Sequence, residues 1–320
     1  MWKASIALVI GALLLAPEAN AQYAREELLT FESATMSVGD FLTGQKGTPV
    51  TLAGDLRLPK ANEKNPVVII LHSGAGLGGA TDAVADWVRI LNEAGIATFE
   101  IDSFTPRGIL SLADVGRLNS LIRIVDAYRA LALLSKHRLI DPDKIVVMGG
   151  SHGGTPALYT SLTRFQKSHG DPDLRFAAHI VLYATCATSY RDDEVLDQRP
   201  ILMLHGTADT AVPEPACRDY AARLAKAGMN VRFIEYPGAH HRFDSPNLRQ
   251  PMNLPNAPSP VACRYAETDD GAIVNVATKQ PPSKDDACLG KGVTFQYNEA
   301  AAKKAHEDVM AFLKDVLAQK

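Results

Sequence analysis

Residues 144–154 read KIVVMGGSHGG. Ile145, Val146, Val147 and Met148 run without a polar interruption, as in a strand buried on both faces. Glycines halt the strand, and a helix is predicted to follow. Gly149-Gly150-Ser151-His152-Gly153 fits G-x-S-x-G in strand–turn–helix context, where the pattern marks a nucleophile elbow. Such a turn holds Ser151 in a strained conformation with its hydroxyl exposed. Gly149 and Gly153 are expected because side chains there would strike the neighbouring strand and helix.

The same rhythm extends in both directions. Upstream, 49–58 alternates apolar and polar, 66–71 (PVVIIL) is continuously apolar, and 96–101 (IATFEI) follows a helix predicted over 82–94. A further helix is expected over 116–136. Downstream, strands are expected at 177–184, 200–206 and 231–236, with helices at 213–227 and 298–318. Alternation of this kind predicts an α/β fold with a mostly parallel sheet covered on both faces. Two segments interrupt it. Residues 22–48 form an N-terminal extension with a possible strand at 29–36, and 244–297 is a Pro-, Asn-, Asp- and Gly-rich insertion within a domain spanning 49–320.

The 320 residues are 46% hydrophobic and 22% charged, with a net charge of −3. Disorder calls for fewer apolar residues and more net charge, and a nucleic-acid partner calls for a basic excess. Met1 to Ala21 has the pattern of a secretory leader: Lys3, an apolar run over 4–16, Pro17, and Ala19-Asn20-Ala21 as the cleavage site. That run is short against the roughly 20 residues of a spanning helix. The expectation is a periplasmic or secreted chain, cut after Ala21, with no membrane association afterwards. Export makes the four cysteines candidates for two disulfides. Three pairings exist, and the sequential one, Cys186–Cys217 with Cys263–Cys288, is favoured.

A serine nucleophile needs a base, and the base needs an orienting carboxylate. In this topology the order is Ser, acid, His. Asp209 follows the strand at 200–206; Asp192, Asp193 and Asp197 precede it. His240 and His241 follow the strand at 231–236, and the residues alone leave both open. Oxyanion donors are expected on the N–H of His152 and on Ser73 or Gly74, in the loop after 66–71. Cysteine and histidine spacings lack metal-site patterns, so no metal or cofactor is expected. Trp87 lies on the apolar face of its helix and reads as core.

These residues resemble the dienelactone hydrolase-like branch of the α/β-hydrolases from about residue 50 onward. The matching pieces are HSGAG (72–76), DSFTPRG (102–108), the elbow, HGTADTAVPEPAC (205–217), YPGAHHRFD (236–244) and the closing segment FQYNEAAAKKAHEDVMAFL. The resemblance implies that the base follows Tyr-Pro-Gly-Ala by one further residue, which selects His241. It also implies pairing of Cys186 with Cys217, and a small-molecule carboxylic ester as substrate. The founding members carry a cysteine nucleophile where this chain has Ser151, so dienelactone is not the expected substrate. Asp102 and Arg107 read as an ion pair fixing their loop. His72, His240 and Arg107 are candidates for the substrate pocket, Arg107 through a carboxylate. The rival readings are a serine peptidase of the prolyl-peptidase type and a non-catalytic binding protein on a hydrolase fold.

Overall fold

The computed structural model describes residues 23–318, so the predicted leader lies outside the described residues. Eleven residues, Arg25–Thr35, form strand β1, with Leu29, Phe31 and Ser33 turned inward and Leu28 and Glu32 outward. That two-residue alternation belongs to an antiparallel strand with one wet face. The segment read as an extension is thus the edge of the central sheet, starting earlier than expected, and α1 (Val38–Leu42) closes it. The following elements are β2 (Thr48–Leu58), β3 (Asn65–Leu71), α2 (Gly76–Glu93), β4 (Ala97–Asp102), α3 (Arg123–Leu134), β5 (Ile140–Gly150), α4 (Gly154–Tyr159) and α5 (Thr163–His169). Then come β6 (Ala178–Leu182), β7 (Thr188–Ser189), β8 (Ile201–Gly206), α6 (Pro215–Lys226) and β9 (Val231–Tyr236). The chain ends with β10 (Met252–Ser259), β11 (Tyr265–Glu267), β12 (Ile273–Asn275), β13 (Gly290–Phe295) and α7 (Glu299–Leu317).

Eight strands form one sheet in the order β1-β2-β4-β3-β5-β6-β8-β9. The β1–β2 and β2–β4 pairs are antiparallel, and all others are parallel. Successive strand residues point to opposite faces and feed two cores. Val67, Ile69, Val147 and Met203 pack with α1, α3, α5 and α6 on one side. Val68, Ile70, Val146 and Leu204 pack with α2 and α7 on the other. This is why the central strands read as unbroken apolar runs.

The helix expected over 116–136 is shorter than predicted. Leu118 is extended, and the Asn119 side chain accepts the N–H of Leu121, restarting the chain in a short turn that leads into α3. A side chain that caps a new turn competes with helix continuation. Residues 244–297 hold β10–β13. Within them β11 pairs in parallel with β7, tying the segment to the loop after β6. Both sequential disulfides, Cys186–Cys217 and Cys263–Cys288, are formed. Among the described residues no helix is long and apolar enough to cross a membrane.

Candidate active site

The register of the central strands sets the site. Leu71 of β3 lies beside Gly149 of β5, and Gly150 lies beside Leu182 of β6. The chain then turns at Ser151, whose φ is 54°, in the left-handed region that non-glycine residues rarely occupy. Its N–H donates to the Leu182 carbonyl at 3.0 Å. A Cβ at Gly149 would lie 2.2 Å from the Gly153 carbonyl oxygen, and one at Gly153 would lie 1.9 Å from that of Leu71. Both glycines are therefore required for the elbow to close against its neighbours.

Three side chains from three loops converge here. His241, in the loop after β9, has Nε2 2.8 Å from Ser151 Oγ. Its Nδ1 donates to Asp209 Oδ2 at 2.7 Å. Asp209, in the loop after β8, is held by that loop. Its Oδ1 accepts the N–H groups of Ala211 and Val212 at 2.9 and 2.8 Å. His205 Nε2 donates to the Val212 carbonyl at 2.7 Å and lies 3.4 Å from Asp209 Oδ2. Burial alone would raise the Asp209 pKa, but the neighbouring His241 and His205 outweigh it and hold the carboxyl well below the usual range. Asp192, Asp193 and Asp197 take no part. Asp193 pairs with Arg223, and Asp197 lies 3.3 Å from His179.

The His241 ring is packed as well as hydrogen-bonded. Tyr183 meets it edge-on at 4.9 Å and Phe295 at 5.4 Å. Its carbonyl accepts the N–H of Gln296, and it bridges in parallel to Phe295. Tyr183 donates to Asp244 Oδ1 at 2.8 Å, and Trp87 Nε1 donates to Asp244 Oδ2 at 2.9 Å. Burial, with Asp244 adding to it, pushes the Tyr183 hydroxyl pKa far up, so it stays a donor. Sequence reasoning left Asp244 without a role, although it closes the YPGAHHRFD segment.

The loop after β3 and the residue after Ser151 lie close together. A Cβ on Gly74 would lie 3.7 Å from that of His152. Among the described residues, the N–H groups of Gly74 and His152 have no backbone acceptor. The His152 ring does not face a substrate. Its Nε2 donates to the Leu118 carbonyl at 3.1 Å, and its Nδ1 accepts from Arg123 Nη1 at 3.2 Å. Burial, then the Arg123 charge, lowers its pKa to about 3. Burial likewise brings Arg123 down to about 9.

Two pocket candidates fall elsewhere. His72 is buried, donating from Nδ1 to the Ser73 carbonyl at 2.8 Å and accepting the Ser103 N–H on Nε2 at 3.3 Å. Both ring nitrogens are engaged, so it is a brace of the loop rather than a pocket wall. Arg107 does form an ion pair, but with Asp126 and not Asp102: it is bidentate at 2.7 and 2.9 Å and only 4% exposed in its side chain. Asp102 instead accepts the N–H groups of Phe104 and Thr105. Phe104, which sequence reasoning passed over, packs edge-on against both His72 and His152. His240 is half-buried, and its Nδ1 has no hydrogen-bond partner among the described residues.

Open space lies on two sides. A cleft of about 420 Å³ is lined by Gly74, Ala75, Phe104 and Leu112. Another of about 770 Å³ runs between α1, Asn119, Thr185 and the 260–282 part of the insertion, with Tyr190 and Tyr265 in its wall. Asp270 is the only charged side chain among its described lining residues. No group of three or more His, Cys, Asp or Glu among the described residues is placed to hold a metal ion.

The fold and the turn at Ser151 define an α/β-hydrolase. More narrowly, residues 52–317 match the model of the dienelactone hydrolase family, and the chain belongs to that family of hydrolases. An acyl-protein thioesterase 1 of Gibberella zeae is 28% identical over 208 residues, covering 58% of this chain and 87% of its own. Among solved structures, a thermophilic esterase of Thermogutta terrifontis with bound propionate shares the fold. It is 18% identical with a TM-score of 0.54, covering 90% of this chain and 97% of its own. A dienelactone hydrolase-like promiscuous phosphotriesterase from metagenomic libraries gives 14% and 0.56, covering 91% and 98%.

Proposed function

We propose that the chain is an exported serine hydrolase that cleaves uncharged carboxylic esters through Ser151, His241 and Asp209. The observation that carries this reading is the continuous hydrogen-bonded line Ser151 Oγ–His241–Asp209, at 2.8 and 2.7 Å. His241 Nε2 takes the hydroxyl proton as Oγ bonds to the ester carbon. The carbonyl oxygen becomes an oxyanion held by the N–H of His152 and an N–H of the Ser73–Gly74 segment. Collapse breaks the bond to the alkoxy oxygen, which takes the proton from His241 and leaves. Water then repeats the sequence on the acyl-enzyme: His241 takes its proton, and Ser151 recovers a proton as the acid departs. Asp209 holds Nδ1–H in place and stabilises the imidazolium throughout.

Support for uncharged substrates comes from the net charge of −3, which offers no basic excess to recruit an acidic ester. Arg107, the candidate carboxylate binder, is engaged by Asp126. Support for export comes from the two disulfides and the leader-like first 21 residues. The thioesterase relative makes thioesters a second substrate class for the same acyl chemistry.

Hydrolysis of p-nitrophenyl butyrate by wild type and Ser151→Ala tests the reading. Loss of a triad member lowers kcat by roughly 10⁴–10⁶. A fluorophosphonate probe should label the wild type and not the variant. Retained turnover in Ser151→Ala would overturn the proposal.

A further inference from the structure

Arg123 opens α3, and its side chain is wholly buried. Removing a guanidinium from water without a counter-charge costs several kcal/mol. Among the described residues no carboxylate pairs with it. Asp126 and Asp102 act on it only through space; Asp126 is engaged by Arg107 and by the Ser33 hydroxyl, and Asp102 by the N–H groups of Phe104 and Thr105. Among the described residues Arg123 Nε and Nη2 have no hydrogen-bond partner. Phe104 covers the guanidinium at 5.3 Å from its ring centre. Only Nη1 is used, and it is used twice: it donates to the His72 carbonyl at 2.7 Å and to His152 Nδ1 at 3.2 Å.

An apolar residue of similar volume would serve a core at least as well, so packing does not account for Arg123. What its two acceptors share does. The His72 carbonyl belongs to the peptide whose N–H is that of Ser73, and His152 carries the N–H that follows the nucleophile. In a trans peptide the C=O and N–H point in opposite directions. A carbonyl held on Arg123 therefore fixes where the Ser73 N–H points. One guanidinium nitrogen thus ties together the two loops that present oxyanion donors.

We propose that Arg123 is a positioning residue for the oxyanion hole. It clamps the loop after β3 to the residue after Ser151, and its buried charge orients the dipoles of both toward the place where negative charge develops. The inference rests on the ester-hydrolase reading above. Dipoles fixed in advance act on the transition state more than on the bound ester. The clamp should therefore govern kcat while leaving KM nearly unchanged.

The test uses the full chain with Arg123→Met and Arg123→Lys, beside Ser151→Ala. It reads kcat and KM for p-nitrophenyl butyrate, Ki for a boronic acid that forms a tetrahedral anionic adduct on Ser151, and Tm. Arg123→Met is expected to lower kcat by roughly 10²-fold, the scale of losing one oxyanion donor. KM should stay close to wild type, boronate affinity should fall in parallel with kcat, and Tm should be unchanged or higher. Arg123→Lys, which keeps the charge and a donor, should recover part of both losses. Should Arg123→Met not fold, Arg123→Lys against wild type carries the test through the same parallel between kcat and boronate affinity. The proposal is overturned if Arg123→Met keeps its kcat. It is also overturned if kcat falls only together with Tm, or if boronate affinity does not follow kcat in either variant. An active Ser151→Ala would instead sink the hydrolase reading itself, so the two failures are distinguishable.

Discussion

Asp209 and Arg123 are both buried charges close to the turn at Ser151, yet their surroundings differ. Asp209 has two backbone N–H groups on one oxygen and His241 on the other, with His205 close by. Among the described residues Arg123 has acceptors for one nitrogen and none for the other two. The carboxylate has both oxygens satisfied, one by its own loop and one by His241. The guanidinium is stabilised by groups on loops far away in sequence, and incompletely. A locally satisfied charge can stay in place whatever its neighbours do, whereas an incompletely satisfied one depends on the whole surrounding core.

Of the changes that bear on this contrast, Asp209→Asn gives the largest effect. It keeps the shape but loses the charge and presents a donor where an acceptor is needed, so kcat should fall about 10⁴-fold with Tm close to wild type. Initial rates on p-nitrophenyl butyrate decide it. A loss no greater than that of Arg123→Met would erase the distinction between the two charges.

That contrast also explains what was legible in the sequence. HGTADTAVP contains both the acid and the donors that hold it, so Asp209 could be read within a nine-residue window. The elbow was readable for the same reason, and the buried strands because their apolar runs are unbroken. Arg123 was not. In LIRIVDAY it looks like a polar position on a helix, and its partners His72 and His152 lie 51 and 29 residues away. The DSFTPRG segment suggests an Asp102–Arg107 pair, but crossing the fold brings Asp126 to Arg107 instead. The helix break at Asn119 turned on one side-chain cap, which apolar periodicity does not register.

Removing the Cys186–Cys217 bridge asks how local the Asp209 environment is. The double serine variant should lose about 4 kcal/mol in urea unfolding under reducing-agent-free conditions, from a loop closed over 31 residues. Its kcat should nonetheless stay near wild type, because Ala211 and Val212 remain beside the carboxylate. A large kcat loss in the folded variant would show that the staple, not the loop, holds the acid.

Acid sensitivity probes the other side. His152 is brought to about 3 in the folded chain, by burial first and then by Arg123, against about 6.5 when unfolded. Between those values the unfolded chain binds the proton and the native chain does not. Stability should therefore fall as pH drops from about 6.5 toward 3. Urea unfolding at several pH values measures the slope. Arg123→Met removes the charge contribution, so the loss should level off at a higher pH; an unchanged levelling point would mean burial acts alone.

Tyr183→Phe should have the smallest effect. Asp244 loses one of its two donors, costing about 1–2 kcal/mol of stability, while ring packing on His241 persists and kcat changes little. Thermal unfolding and steady-state rates together measure this.

The link between His241 and Phe295 bears on how this protein can be re-engineered. Strand β13 belongs to the disulfide-stapled insertion in sequence, yet it is a structural part of the His241 loop. A designer exchanging the lobe to change the cleft should cut after Ser259 and before Gly290, and leave Gly290–Phe295 in place. Exchanged at those points, the wall of the cleft becomes a replaceable module. Cut closer to α7, the same graft would remove the packing that aims the imidazole.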